Sequence, residues 1–427
     1  MLLVLAVFLF LLFFGMPVAF AIGISGLFFF LTTPEVPLSI AVQRTLTTSQ
    51  SFTMLAIPLF IFAGHLMNST GITKRLIKLA DVLTGHMYGN LAQVSVVLST
   101  LMGGVSGSAV ADAAMQSRIL GPDMVRKGYK PAYGAAINGV SSLITATIPP
   151  SMGLILYGSI GEVSIGRLFA AGILPGIMMM IALMIAVSYT SRRNRYLPER
   201  EKPPGIKEVL VALKDGIWAL LFPVILIVGI RYGIFTPSES GAFAAVYAIF
   251  VGMVIYKDLT WKRLWETVQN SAVDIGAVML IISVSGIFGY GIVYDNVTRS
   301  LSEIISGITQ NPYALLGVII LALIIAGMFV ETTVVTLLLT PIFVPIVTSV
   351  GIDPVHFGLI MMTVTTFGII TPPMGVSLFT VSQIMGCSPQ DTVKEAIPFY
   401  IAIFAVVAIM VFFPDFILFI PDVVFGE

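Results

Sequence analysis

Charge is scarce in this chain: 22 Lys+Arg and 22 Asp+Glu make 10% of 427 residues, against 57% hydrophobic. Ordinary soluble domains carry about 25% charge, so a water-soluble globule is excluded. The charge sums to zero, and no basic cluster with interleaved aromatics occurs, which argues against nucleic acid as a partner. The one cysteine, Cys387 beside Gly386, permits neither an internal disulfide nor a thiolate metal cluster and is read as structural. The three histidines (His65, His86 and His356) share no metal-ligand spacing. No G-x-x-x-x-G-K-[ST] loop is present, so ATP is not the energy source within the chain. No Lys or Arg precedes Arg44, so Ala19-Phe20-Ala21 lacks the positive n-region of a secretory signal, and residues 1–31 are expected to be retained helices.

What the chain has instead is apolar blocks of roughly 15 to 30 residues, long enough as helices to span about 30 Å of hydrocarbon. They are continuous rather than alternating, which excludes a barrel. The fold expected is an all-α polytopic membrane protein. Within the blocks a two-part interruption occurs twice. Gly103-Gly104-Val105-Ser106-Gly107-Ser108 is followed by Thr147-Ile148-Pro149-Pro150-Ser151-Met152-Gly153. Gly327-Met328-Phe329-Val330-Glu331-Thr332-Thr333 is followed by Thr371-Pro372-Pro373-Met374-Gly375. The offsets agree, 331 − 106 being 225 and 372 − 149 being 223. Matched interruptions in two halves of a hydrophobic chain point to the midplane binding site of a secondary transporter.

The expected organisation is two repeats. Residues 1–68 are scaffold helices turning at Gly15-Met16-Pro17, with 34–50 an interfacial connection. Residues 72–86, with Lys74, Arg75, Lys78 and Asp81 among spaced aliphatics, form an amphipathic arm along the membrane surface. Residues 90–190 hold a re-entrant hairpin (90–128), a broken helix (131–160) and a further span. A linker (191–215) follows, richest in charge over 191–207, then scaffold helices over 216–293, a basic segment at 257–266 included. A second arm (298–310), then 312–427 with a hairpin (312–350), a broken helix (355–385) and a last span at 397–420, complete the plan. With the linker in the cytoplasm, the outside receives Arg44, Arg167, Arg231 and Arg299, and the other 22 − 4 = 18 Lys and Arg lie inside. The same count inverts the two repeats and places both termini outside.

A helix broken in mid-membrane exposes carbonyls on one side and N–H groups on the other. Carbonyl and Ser/Thr oxygens suit a small dehydrated cation, and half-helix N-termini favour a carboxylate. A Na⁺ site is therefore expected in each half. The first uses Gly103, Ser106 and Gly107 at the tip with Thr145, Thr147 and Pro149 at the break. The second uses Gly327, Val330, Glu331 and Thr332 with Thr366, Gly368, Thr371 and Pro372. Substrate is expected between them, against Ser108, Asp112, Ser151, Thr333 and Met374. The bland alternative is that small and polar residues serve helix packing, and Asp112 could instead pair with Arg118 or snorkel. Glu162, Arg167 and Glu239, near helix ends, read as surface groups. Gly104-Val105-Ser106-Gly107 fits the G-x-S-G of intramembrane serine proteases, with His65 or His86 as base, but the second copy offers no equivalent nucleophile. A channel is the other rival; two inverted repeats favour alternating access over it. No catalytic residue and no bound cofactor are expected.

Ala56-Ile57-Pro58-Leu59-Phe60-Ile61-Phe62-Ala63-Gly64, Gly104-Val105-Ser106-Gly107-Ser108-Ala109-Val110-Ala111-Asp112-Ala113, Ile148-Pro149-Pro150-Ser151 and Thr371-Pro372-Pro373-Met374-Gly375 resemble the large membrane (M, DctM-type) subunit of tripartite ATP-independent periplasmic (TRAP) transporters. The likeness covers essentially the whole chain. It implies Na⁺-driven import of an organic acid across a bacterial inner membrane, with a small four-helix Q subunit alongside and a periplasmic binding protein delivering the substrate. It also implies a fold like the divalent-anion/sodium symporters. There the hairpins and broken helices (about 90–165 and 312–390) move as an elevator against scaffold spans (1–68 and 217–293) that rest on Q. The likeness leans towards the sialic-acid (N-acetylneuraminate) members, with C4-dicarboxylates as the alternative.

Overall fold

The structure, a computed structural model, describes residues 1–297, 299 and 311–426. Every regular element among them is helical. The second arm expected at 298–310 lies outside the described residues, Arg299 alone excepted. Among the described residues, seven helices are long and apolar enough to cross a membrane, and a bent pair makes an eighth.

The first part of the chain forms α1 (Leu2–Phe13), α2 (Val18–Thr32), α3 (Leu38–Ser49) and α4 (Ala56–Ser69). At 1.5 Å per residue, α1 and α2 rise only about 18 and 22 Å, less than a full crossing. The connection expected at 34–50 is instead largely α3. Its threonines donate to carbonyls one turn back (Thr45 to Ala41, 3.0 Å; Thr48 to Arg44, 2.8 Å), so polar side chains sit in a helix with their hydroxyls satisfied. Next comes α5 (Ile72–Thr84), which buries Ile72, Leu76, Leu79 and Ala80 and leaves Lys74 and Lys78 exposed, as its amphipathic spacing predicts. Arg75 ties it to the second half through Asp258 (2.7 Å) and lies 3.7 Å over the Tyr256 ring.

Both interruptions of the first half are real breaks. Helices α6 (Asn90–Gly103) and α7 (Ala109–Ile119) flank the glycine-serine stretch, and the short α8 (Gly121–Arg126) follows. Helices α9 (Pro131–Thr147) and α10 (Met152–Ile160) meet at 45° across the prolines. Then α11 (Ile165–Asn194) and α12 (Ile206–Arg231) leave only 195–205 irregular. The expected linker (191–215) is thus helical at both ends. Charge in Ile206–Asp215 suggests a loop, but its aliphatics recur at helical spacing and the helix continues without a proline until Pro223. What remains of the linker is docked: the Glu199 and Arg200 amides both donate to Gly85 O (3.0 Å), and Glu199 accepts from Asn90 (2.8 Å) and Lys127 (2.5 Å). That lysine is the main reason the Glu199 carboxyl lies below its ordinary range.

In the second part, α13 (Pro237–Phe250) starts from a Thr236–Glu239 capping box. The 34-residue α14 (Trp261–Tyr294) absorbs most of the basic segment expected at 257–266, because Thr260 caps it and no proline or glycine interrupts 261–275. Helices α15 (Pro312–Phe329) and α16 (Thr332–Ser349) turn at Val330-Glu331, and α17 (Pro354–Gly368) and α18 (Val376–Met385) flank the second Pro-Pro break. At 18 residues each, α15 and α16 are longer than the first hairpin's arms of 14 and 11. The last span is α19 (Pro389–Phe412), ended before Pro414, which opens α20 (Pro414–Phe425).

The core centres on α9 and α17, buried along nearly their whole lengths and packed on each other. Small residues allow the approach: a Cβ at Gly139 would lie 2.3 Å from Ile370 Cδ1. Around this centre, α4 packs on α13 and α14, and α2 on α14. Outward faces such as Val318, Leu321, Ile325 and Phe329 of α15 remain exposed.

Candidate functional site

Each hairpin tip sits against the break of its own half. In the first half, Gly107 has φ +61°, and a Cβ there would lie 2.4 Å from the Pro150 carbonyl oxygen; only glycine fits both demands. A Cβ at Gly103 would meet Ile148 Cβ at 2.6 Å. Ser108 caps α7 (Ala111 N, 3.4 Å). Ser151 caps α10 (Leu154 N, 3.4 Å) and donates to Ala146 O at 2.5 Å, while Thr147 donates to Leu143 O at 3.0 Å. Pro149 and Pro150 are buried, and their peptide bond is cis.

In the second half, a Cβ at Gly327 would lie 2.4 Å from Thr365 O and 3.2 Å from Gly368 Cα, so tip and break touch backbone to backbone. Glu331 caps α16: its carboxylate accepts from Thr333 N (3.0 Å) and Thr333 Oγ1 (2.9 Å). Val330 is buried in the extended turn before it. Thr366 donates to Met362 O and Thr371 to Phe367 O, each at 2.7 Å. Pro372, Pro373 and Met374 are exposed, unlike the buried Pro149 and Pro150 of the first break. The Pro372-Pro373 bond is cis as well. The two sites adjoin, since a Cβ at Gly153 would overlap the Met362 side chain of α17.

Asp112 is 1% exposed and does not pair with Arg118. Its Oδ2 accepts from Ser99, Gln116 and Thr145, each at 2.8 Å, and the Thr145 hydroxyl also lies 2.9 Å from Ser99 O. Ser95, Asn138 and Ser141 extend this buried network between α6, α7 and α9. Sequence reasoning did not assemble it. Its signal was the spacing, with Ser95 and Ser99 one turn apart, Gln116 one turn past Asp112, and Asn138, Ser141 and Thr145 on one face of α9.

Several buried polar atoms lack a hydrogen bond among the described residues, Asp112 Oδ1, Ser159 Oγ, Thr363 Oγ1 and Ser377 Oγ included, and two of them are tip hydroxyls. Ser106 Oγ and Thr332 Oγ1 are buried and make no hydrogen bond among the described residues. A buried hydroxyl without a partner is costly, so both are oxygens suited to a cation. Among the described residues no three His, Cys, Asp or Glu come together as a metal site.

Residues 5–416 match the family model described as "Tripartite ATP-independent periplasmic transporter, DctM component". The chain belongs to the DctM family. This permease is 36% identical over 418 residues to the sialic acid TRAP transporter large permease protein SiaM of Vibrio cholerae, covering 97% of both chains. It is 36% identical over 406 residues to the 2,3-diketo-L-gulonate TRAP transporter large permease protein YiaN of Escherichia coli, covering 95% of both. Among solved structures it resembles the Alcanivorax borkumensis YdaH transporter, at a TM-score of 0.63 and 11% identity over 88% of this chain and 87% of that one; the likeness is one of fold. The permease is a multi-pass inner-membrane protein that serves secondary transport of an organic acid, and not an enzyme. The protease suggested by G-x-S-G is thereby set aside. Family membership implies a periplasmic binding protein and often a small Q subunit.

Proposed function

We propose that the permease is a Na⁺:organic-acid symporter in which one Na⁺ binds at each tip–break contact and the substrate carboxylate binds between them. The observation that carries this reading is the pair of partnerless buried hydroxyls, Ser106 and Thr332, at equivalent tips. Around them, the first ion would draw on Gly103, Gly107, Thr145, Thr147 and Pro149. The second would draw on Gly327, Val330, Glu331, Thr366, Gly368, Thr371 and Pro372. Between them, Ser108, Ser151, Thr333 and Met374 would meet the acid. Asp112 would act on it through Thr145 and α7, its Oδ2 being engaged by Ser99, Gln116 and Thr145 while its buried Oδ1 has no hydrogen-bond partner among the described residues.

The two halves are read as inverted repeats, with hairpins and broken helices travelling together against the scaffold and α5 as one flexible arm. Q would cover apolar scaffold surface, and a periplasmic binding protein would deliver the acid from outside. Sialic acid is the substrate we favour, on the overall likeness to the sialic-acid members. The diketogulonate relative makes another sugar-derived acid the natural second candidate, and C4-dicarboxylates a third. In proteoliposomes holding Q and permease with binding protein outside, uptake of labelled sialic acid is expected to require an inward Na⁺ gradient. Equal uptake with K⁺ alone would overturn the coupling; Na⁺-driven uptake of a different acid would change only the substrate.

A further inference from the structure

We propose that Arg118 is a carboxylate relay on the cytoplasmic release path of the transported acid. The inference rests on the organic-acid reading above and on the linker side being cytoplasmic. It begins with the spacing on α7. Ser108, Ala111, Met115 and Arg118 follow one another at three and four residues, so they share a face of the helix. That face is the more open one: Ala111 and Arg118 are exposed and Ser108, Ala114 and Met115 half-buried, whereas Asp112, Ala113, Gln116 and Ser117 are buried; off the strip, Val110 is half-buried and Ile119 exposed. The strip therefore runs from the tip, where substrate is held, to the last turn of α7, about 15 Å further along.

A second helix borders the strip. α18 packs against α7, starts from the exposed break at Pro372–Met374, and exposes Val376, Phe379 and Gln383. These faces mix apolar side chains with polar ones that an all-apolar lipid-facing surface lacks. The exposed residues of α15 are Val318, Leu321, Ile325 and Phe329, all large and apolar. The α7 strip offers serine, alanine, methionine and arginine with the exposed Ile119 beside it, and α18 adds Gln383 next to Val376 and Phe379. A guanidinium facing hydrocarbon is strongly disfavoured, and such groups line water-filled cavities or, near helix ends, reach the interface. Arg118 makes no hydrogen bond or ion pair among the described residues, so its fork is free. Helical side chains lean towards the N-terminus, which aims the guanidinium back along the strip towards the tip. A planar fork suits a carboxylate, and one exposed arginine holds it loosely enough for release. Its effect is to raise the local concentration of anion in the path.

The test is charge-selective labelling of the full permease with Q in inside-out vesicles, on a Cys387→Ser background. Ala111→Cys is expected to react with both sulfonatoethyl (anionic) and trimethylammonioethyl (cationic) methanethiosulfonate. Adding Arg118→Gln should lower the anion-to-cation rate ratio roughly fivefold, and Arg118→Lys should largely preserve it. In uptake assays Arg118→Gln should slow maximal transport severalfold with the half-saturating Na⁺ concentration unchanged. No reaction of Ala111→Cys with either reagent would mean that the strip faces lipid, and an unchanged ratio would mean that Arg118 does not govern the path; either overturns the proposal. A normal charge effect in a permease without Na⁺-driven uptake would instead sink the symport reading and leave the anion path standing.

Discussion

Gly107→Ala should cut uptake to below about a tenth of wild type while the protein still inserts and binds Q. Two costs coincide at this position. The residue must hold φ +61°, which costs a non-glycine side chain about 1 kcal/mol. The new methyl would also lie 2.4 Å from the Pro150 carbonyl oxygen, where backbone rather than a flexible side chain must yield. Overpacking of this kind costs roughly 1–3 kcal/mol, and relief can come only by moving the tip away from the break. That contact is where the first ion is proposed to sit. Gly128→Ala is the control: φ is +81°, yet nothing lies within 4 Å of its Cβ, so it should carry the backbone cost alone and keep most of its uptake. Equal loss in both variants would show that tip contact is irrelevant.

Ser106→Ala and Thr332→Ala should each raise the Na⁺ concentration for half-maximal uptake by about tenfold. Each removes an oxygen that no protein group engages. Contacts between a hydroxyl and a full charge contribute roughly 1.5–3 kcal/mol, and tenfold corresponds to about 1.4 kcal/mol. Ser106→Ala should leave the protein no less stable, because it removes only a partnerless buried hydroxyl, whereas Thr332→Ala also gives up a buried methyl and should lose a little stability. Ser285→Ala offers a scaffold comparison, since that hydroxyl donates to Ile282 O at 2.7 Å. It should leave the Na⁺ titration unchanged. Wild-type titrations in both tip variants would remove the hydroxyls from the ion sites and, with them, the observation on which the symport reading rests.

The interruptions were legible because breaking a helix demands particular residues. Gly107 and Gly327 permit backbone contact, the Pro-Pro pairs forbid a continuous helix, and Ser108, Ser151 and Glu331 cap the restarts. Less legible were stretches where a helix passes through the interface. Ile206–Asp215 and Trp261–Ser271 carry charge that reads as loop, but such side chains reach water from a helix without ending it. The Thr-rich α3 misled for a related reason, its hydroxyls being satisfied by its own carbonyls. Least legible was the fate of Asp112. Its partners Ser99 and Thr145 come from other helices and are visible only after α6, α7 and α9 are packed. Nor does sequence alone show that the first Pro-Pro pair is buried and the second open, since the two read alike.

The way the two halves interlock bears on biogenesis. Helix α4 closes against α13 and α14, α9 against α17, α18 and α19, and α11 against α19 and α20. The first 194 residues therefore leave the ribosome with their inward faces still lacking the surfaces that will cover them. Until the later segments enter the bilayer, Asp112 and its neighbours must be sheltered by α6, α7 and α9 alone. Assembly of the first half can finish only after α19 and α20 have been made.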